Sequence, residues 1–128
     1  MKTLSVLVVE DDLVVGILLG ETLEAMGYSV CAIEATEADA VNSAARCCPD
    51  LMIVDVRLGD GDGNGVSAVE EITRDGPVPH VFVSGDLSRF QRFRSNSVVL
   101  RKPYRESDLA GAIQRAFGLD LGLIPQPI

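Results

Sequence analysis

Apolar runs that end on a polar residue constrain this chain more than any other feature. Leu7-Val8-Val9 is followed by Glu10-Asp11, and Leu51-Met52-Ile53-Val54 by Asp55. Val81-Phe82-Val83 leads to Ser84, and Val98-Val99-Leu100 runs through Arg101 to Lys102-Pro103. Short unbroken apolar runs, rather than alternating ones, suit strands buried on both faces. Helix-like segments separate them, which predicts βα units and a parallel sheet. Parallel strands place their carboxyl ends on one edge, where open α/β folds bind ligands. Three carboxylates, a hydroxyl and an ammonium from distant parts of the chain therefore converge on one pocket.

The chain of 128 residues is long enough for one domain with a layered core. Its hydrophobic content of 47% excludes a disordered segment. No apolar run approaches the length of a membrane span. Met1-Lys2-Thr3 passes into a strand-like run without the marks of a signal peptide, which predicts a cytoplasmic protein. A net charge of −8 argues against direct nucleic-acid binding. Charge is uneven, however: Arg89 to Arg105 holds six of the eleven basic residues and no acid, a surface suited to an acidic protein partner. Cys31, Cys47 and Cys48 are too few and too poorly spaced for a disulfide framework and read as small apolar residues.

The expected elements follow in order. Leu4–Val9 is the first strand. Val14–Met26 is a helix with a core stripe of Val15, Leu18, Leu19, Leu23 and Met26, stopped at Gly27. Ser29–Ile33 is the second strand, and Thr36 caps a helix running to Cys48. Leu51–Val54, a Gly-rich loop over Leu58–Gly65, a helix over Val66–Arg74 and a strand over His80–Ser84 come next. Val98–Leu100 is the fifth strand, and Glu106–Phe117 a closing helix with Leu109, Ala112, Ile113, Ala116 and Phe117 on one face. Between Ser84 and Lys102 only Leu87–Phe93 suits a helix, so the fourth helix is expected to be short or irregular. The folded unit is expected over residues 1–118, and 119–128 is a tail.

Clustered carboxylates repel, and without a cation one of them tends to hold a proton. Mg²⁺ relieves that penalty and prefers hard oxygen ligands. Asp11 and Asp55 suit direct ligation, Glu10 ligation through water, and the Arg57 backbone carbonyl a further position. An Asp beside such a cation is a competent phosphoryl acceptor, because that transfer needs positioning and charge neutralisation above all. Lys102 supplies a point charge for one phosphate oxygen and Ser84 a hydroxyl for another.

Taken together, Val8-Val9-Glu10-Asp11, Ile53-Val54-Asp55, Asp62-Gly63, Ser84-Gly85 and Lys102-Pro103-Tyr104 resemble the receiver domains of two-component response regulators, from Leu4 to about Phe117. The resemblance implies a three-layer, doubly wound, flavodoxin-like (βα)5 fold with five parallel strands and helices on both faces. It implies that Asp55 takes phosphate from a phosphohistidine on a kinase or phosphotransfer protein. It implies Mg²⁺ on Asp11, Asp55 and the Arg57 carbonyl, with Ser84 and Lys102 reading the phosphate. It implies a cis Lys102-Pro103 bond, and a protein that signals by contact or relay rather than by turning over a free substrate. Some positions depart from the pattern. Val99 stands where an aromatic is usual, so an aromatic flip is not available there. The Ser84–Lys102 interval is about one helical turn short, resembling a subgroup with a reduced fourth helix. Asp86 and Gly59 also differ from common family residues, and Arg57 and Asp86 flank the pocket.

One rival motif is specific. Asp60-Gly61-Asp62-Gly63-Asn64-Gly65, with Glu71, fits an EF-hand loop and offers a Ca²⁺-binding alternative. Against it, a β-rich run precedes the loop, Ser67 holds the position that pairs two loops, and no second loop exists in the sequence. A haloacid-dehalogenase-type hydrolase would place a second Asp two residues after the nucleophile, where this chain has Arg57. The sole histidine, His80, falls at the end of the sheet opposite the pocket.

Overall fold

The computed structural model describes residues 3–59, 64–86 and 97–120. Among them β1 (Ser5–Val9), β2 (Ser29–Glu34), β3 (Leu51–Asp55), β4 (His80–Ser84) and β5 (Val99–Arg101) form one sheet in the order β2-β1-β3-β4-β5. Every pairing is parallel. The helices are α1 (Leu13–Ala25), α2 (Glu37–Cys47), α3 (Asn64–Ile72) and α4 (Glu106–Asp120). This is the expected flavodoxin-like order. The expected short helix over Leu87–Phe93, residues Asp60–Gly63 and residues 121–128 lie outside the described residues.

The unbroken apolar runs behave as fully buried strands. Val6, Leu7, Val8, Leu51, Met52, Val54 and Val81 are completely inaccessible. Alternate residues feed opposite faces. Val6, Val8, Ile53 and Val81 pack with Leu19 and Leu23 of α1 and with Leu109, Ala112 and Ile113 of α4. Leu7, Val9, Met52 and Val54 pack with Ala40 and Ala44 of α2 and with Ala68 and Val69 of α3. Helices therefore cover both faces, as parallel sheets require.

Local chemistry sets the helix ends. Asp12 caps α1, its Oδ1 accepting from Val14 N at 3.0 Å and Val15 N at 3.1 Å. Gly27, at φ +101°, turns the chain out of α1 while Tyr28 N donates to the Leu23 carbonyl at 3.0 Å. Thr36 caps α2 through Asp39 N at 3.1 Å, as the sequence predicts.

The buried stripe of α1 differs from the expected one. Gly16, Leu19, Gly20 and Leu23 face the sheet, whereas Leu18 is 57% exposed. The helix is apolar on nearly every side, so periodicity alone cannot select the inner face. Close approach selects it: a Cβ on Gly16 would come within 2.9 Å of Ile33 Cγ2, and one on Gly20 within 3.3 Å of Ile33 Cδ1. The glycines seat α1 on β2 and turn Leu13, Val14, Ile17 and Leu18 outward.

Candidate functional site

The sheet order reverses direction at β1. From β1 the chain moves outward to β2, then returns to the other side of β1 as β3. Beyond the carboxyl ends of two such strands a crevice opens between the diverging connections. Glu10 and Asp11 leave β1 there, and Asp55 ends β3. One carboxylate oxygen from each lies within 4.8 Å of the others, the only such metal-competent cluster among the described residues. Glu10 and Asp55 are buried, and Asp11 is exposed at the mouth.

Each carboxylate is held. Glu10 Oε2 accepts from Asp12 N at 3.0 Å, and Asp11 Oδ2 accepts from Gly59 N at 2.8 Å. Asp55 Oδ1 accepts from Arg57 N at 2.9 Å. Lys102, after β5, spans the crevice: its Nζ donates to Asp55 Oδ2 at 2.8 Å and to Glu10 Oε1 at 3.1 Å. The Lys102-Pro103 bond is cis.

The electrostatics follow from burial first and then from crowding. Burial pushes the Glu10 carboxyl up from 4.5 to about 7; the Asp12 N–H opposes this, the Asp55 carboxylate adds to it, and Lys102 opposes it. Burial also works against the Lys102 ammonium, but the Asp55 and Glu10 carboxylates outweigh it and raise that group. Burial raises Tyr104, next but one to Lys102. Even with the Lys102 ammonium beside it, the Glu10 carboxyl stays raised, so added positive charge would relieve the site. The carboxylates' hard oxygen donor set fits a cation such as Mg²⁺.

The remaining expected residues are also placed. Ser84 ends β4 beside β5, where its Oγ accepts from Asp86 N at 3.1 Å and donates to the Asp86 carbonyl at 3.2 Å. Its hydroxyl is thus engaged with its own turn. Arg57 is exposed and sits at the rim. Val99 is half-buried against the α2–α3 side of the core. His80 begins β4 at the opposite end, its Nδ1 2.8 Å from the Val78 carbonyl and its ring edge-on to Phe82. Glu71, the final EF-hand position, lies in α3 and pairs with Arg74, and the element preceding the loop is β3 rather than a helix.

Two glycines carry the site in ways that spacing does not reveal. Gly59 adopts φ +68°, a left-handed turn that aims its N–H at Asp11. Gly65 opens α3 directly beneath Asp55; a Cβ there would collide with the Asp55 carbonyl oxygen and stand 3.0 Å from Val54 Cγ1. A third feature is the exposed apolar stripe of α1, Leu13, Val14, Ile17 and Leu18, which begins two residues beyond Asp11. The low contrast between the faces of α1 hid it from the sequence pattern.

Comparison with known proteins agrees with this geometry. The family profile described as the response regulator receiver domain matches residues 6–114. The chain is 25% identical over 114 residues to the phyllosphere-induced regulator PhyR of Methylorubrum extorquens, spanning 87% of this chain and 42% of that protein. It is 33% identical over 115 residues to the transcriptional regulatory protein PdtaR of Mycobacterium tuberculosis, spanning 87% of this chain and 55% of that one. The chain thus spans about half the length of these relatives. Among solved structures, the receiver domain of Erythrobacter litoralis PhyR superposes with a TM-score of 0.83 at 25% identity, covering 100% of this chain and 98% of that one. The receiver domain of a diguanylate cyclase from Desulfovibrio desulfuricans superposes at 0.80 with 30% identity, covering 94% and 98%. With the profile covering most of its length and the acidic crevice at the switch point of the sheet, this chain belongs to the response regulator receiver-domain family.

Proposed function

We propose that this receiver takes a phosphoryl group onto Asp55 from a phosphohistidine on a kinase or phosphotransfer protein, and passes the signal on by protein contact or relay. The observation that carries this reading is the convergence of Glu10, Asp11 and Asp55 within 4.8 Å, with Lys102 Nζ 2.8 Å from Asp55 Oδ2. In the transfer an Asp55 carboxylate oxygen attacks phosphorus, a P–O bond forms and the P–N bond to the histidine breaks. Glu10, Asp11, Asp55 and the Arg57 carbonyl would hold Mg²⁺, which would offset the charge on the phosphoryl oxygens. The Arg57 N–H on Asp55 Oδ1 orients the acceptor. Lys102 already lies against Asp55 and supplies a cation where negative charge accumulates. Ser84 reaches the phosphoryl group by releasing its bonds to Asp86, which couples phosphate to the turn after β4.

The apolar stripe of α1 supports a docking role for the same donor. Leu13 and Val14 are 68% and 65% exposed beside the mouth of the crevice, so a helical partner seated there would bring its histidine to Asp55. Chemistry and docking separate experimentally. Intact mass after incubation with acetyl phosphate and Mg²⁺ should show one added phosphoryl group in wild type and none in Asp55→Asn. An Ile17→Glu, Leu18→Glu double variant should still react with acetyl phosphate but lose transfer from a phosphohistidine protein. Wild type that gains no mass with donor and Mg²⁺ verified refutes the acceptor role.

A further inference from the structure

The acidic crevice accounts for the carboxylates but leaves the three thiols without a role. Cys31 lies in β2 at the edge of the sheet, half-buried against the part of the core that holds Ala40 and Ala44 of α2. Cys47 is the last residue of α2, three positions beyond Ala44 and four beyond buried Ser43, so it shares the helix face that meets the sheet. The two thiols interact directly, and burial first, then Cys47, pushes the Cys31 thiol up to about 12. Cys48 is different. It occupies the left-handed region at φ +48°, is exposed, and directs its Sγ to the Ala45 carbonyl at 3.9 Å. Three thiols allow three pairings, and the fold sets Cys31 and Cys47 on packed neighbouring elements, β2 and α2.

We propose that Cys31 and Cys47 are a reversible disulfide site that closes when the protein meets a peroxide. The half-exposed Cys47, as thiolate, attacks one peroxide oxygen; the O–O bond breaks and Cys47 sulfenic acid forms. The Cys31 sulfur then attacks the Cys47 sulfur, an S–S bond forms and water leaves. The thiols lose two electrons and two protons, and hydrogen peroxide becomes two molecules of water. Thiol pairs that oxidise in reducing compartments are commonly redox-responsive. Here the bond would tie the last turn of α2 to the edge strand. That strand abuts the crevice, since the Glu34 carbonyl accepts from Glu10 N at 2.8 Å.

The test is non-reducing peptide mapping and intact mass of the folded protein after hydrogen peroxide treatment in a chelator, with dithiothreitol reversal. The expected result is a loss of two hydrogens, a crosslinked pair of peptides carrying Cys31 and Cys47, and a melting temperature several degrees above that of the reduced protein. Cys31→Ser and Cys47→Ser should each abolish the crosslink, and Cys48→Ser should retain it. A Cys47–Cys48 bond, loss of the crosslink in Cys48→Ser, or Cys47 sulfinic acid without any crosslink would overturn the proposal.

Discussion

Glu10→Gln removes a buried charge while keeping the side-chain shape, and its effect can be worked out in advance. Burial moves the Glu10 carboxyl from 4.5 to about 7 in the folded, metal-free protein. In that window the folded state holds this proton more firmly than the unfolded state does. The contribution of Glu10 is therefore fully present below pH 4.5 and is lost as pH rises toward 7. At about 1.4 kcal/mol per pH unit the ceiling is about 3 kcal/mol. Lys102 sits across the crevice with 32% of its side chain exposed, so solvent reduces this, and about 1–2 kcal/mol is expected. Glutamine does not titrate. Urea unfolding in EDTA, stepped across the window, should show the variant gaining on wild type by that amount as pH increases. Mg²⁺ should shrink the gain by supplying the missing positive charge. A stability difference that stays flat with pH, or that falls, refutes the claim that burial raises the Glu10 carboxyl.

Gly65→Ala should lower stability by about 2 kcal/mol or more, because the new methyl meets the Asp55 carbonyl rather than a flexible side chain; calorimetry showing a change under about 0.5 kcal/mol would contradict that contact. Leu18→Ala should cost little and Leu23→Ala about 2–5 kcal/mol, since the first is 57% exposed and the second fully buried; equal losses in denaturant unfolding would restore the stripe expected from periodicity. Lys102→Met leaves Asp55 and Glu10 without their shared ammonium. It should destabilise the metal-free protein near pH 8 by about 1–3 kcal/mol, with much of the loss recovered in Mg²⁺; a loss indifferent to Mg²⁺ would argue against a shared electrostatic site.

The strands and their polar ends were legible because burial on both faces leaves an unbroken apolar signature. The parallel rule then carries Glu10, Asp11, Asp55, Ser84 and Lys102 to one edge. The capping role of Thr36 was equally local, since its side chain bonds backbone three residues away. The inner face of α1 was not legible. A helix apolar on nearly every side carries almost no directional signal, and what orients it is the fit of Gly16 and Gly20 against Ile33.

The order of elements, the layering and the set of groups at the pocket thus came from sequence alone, because periodicity and strand ends encode them locally. The tertiary structure decided which groups touch. The Lys102 bridge to Glu10 joins residues 92 apart and depends on the register of four strands, β1, β3, β4 and β5. The place of Gly65 under Asp55 depends on where α3 lands, and the meeting of Cys31 with Cys47 on how α2 crosses the sheet edge. Contacts of this kind arise from packing between elements, which no single stretch of sequence specifies.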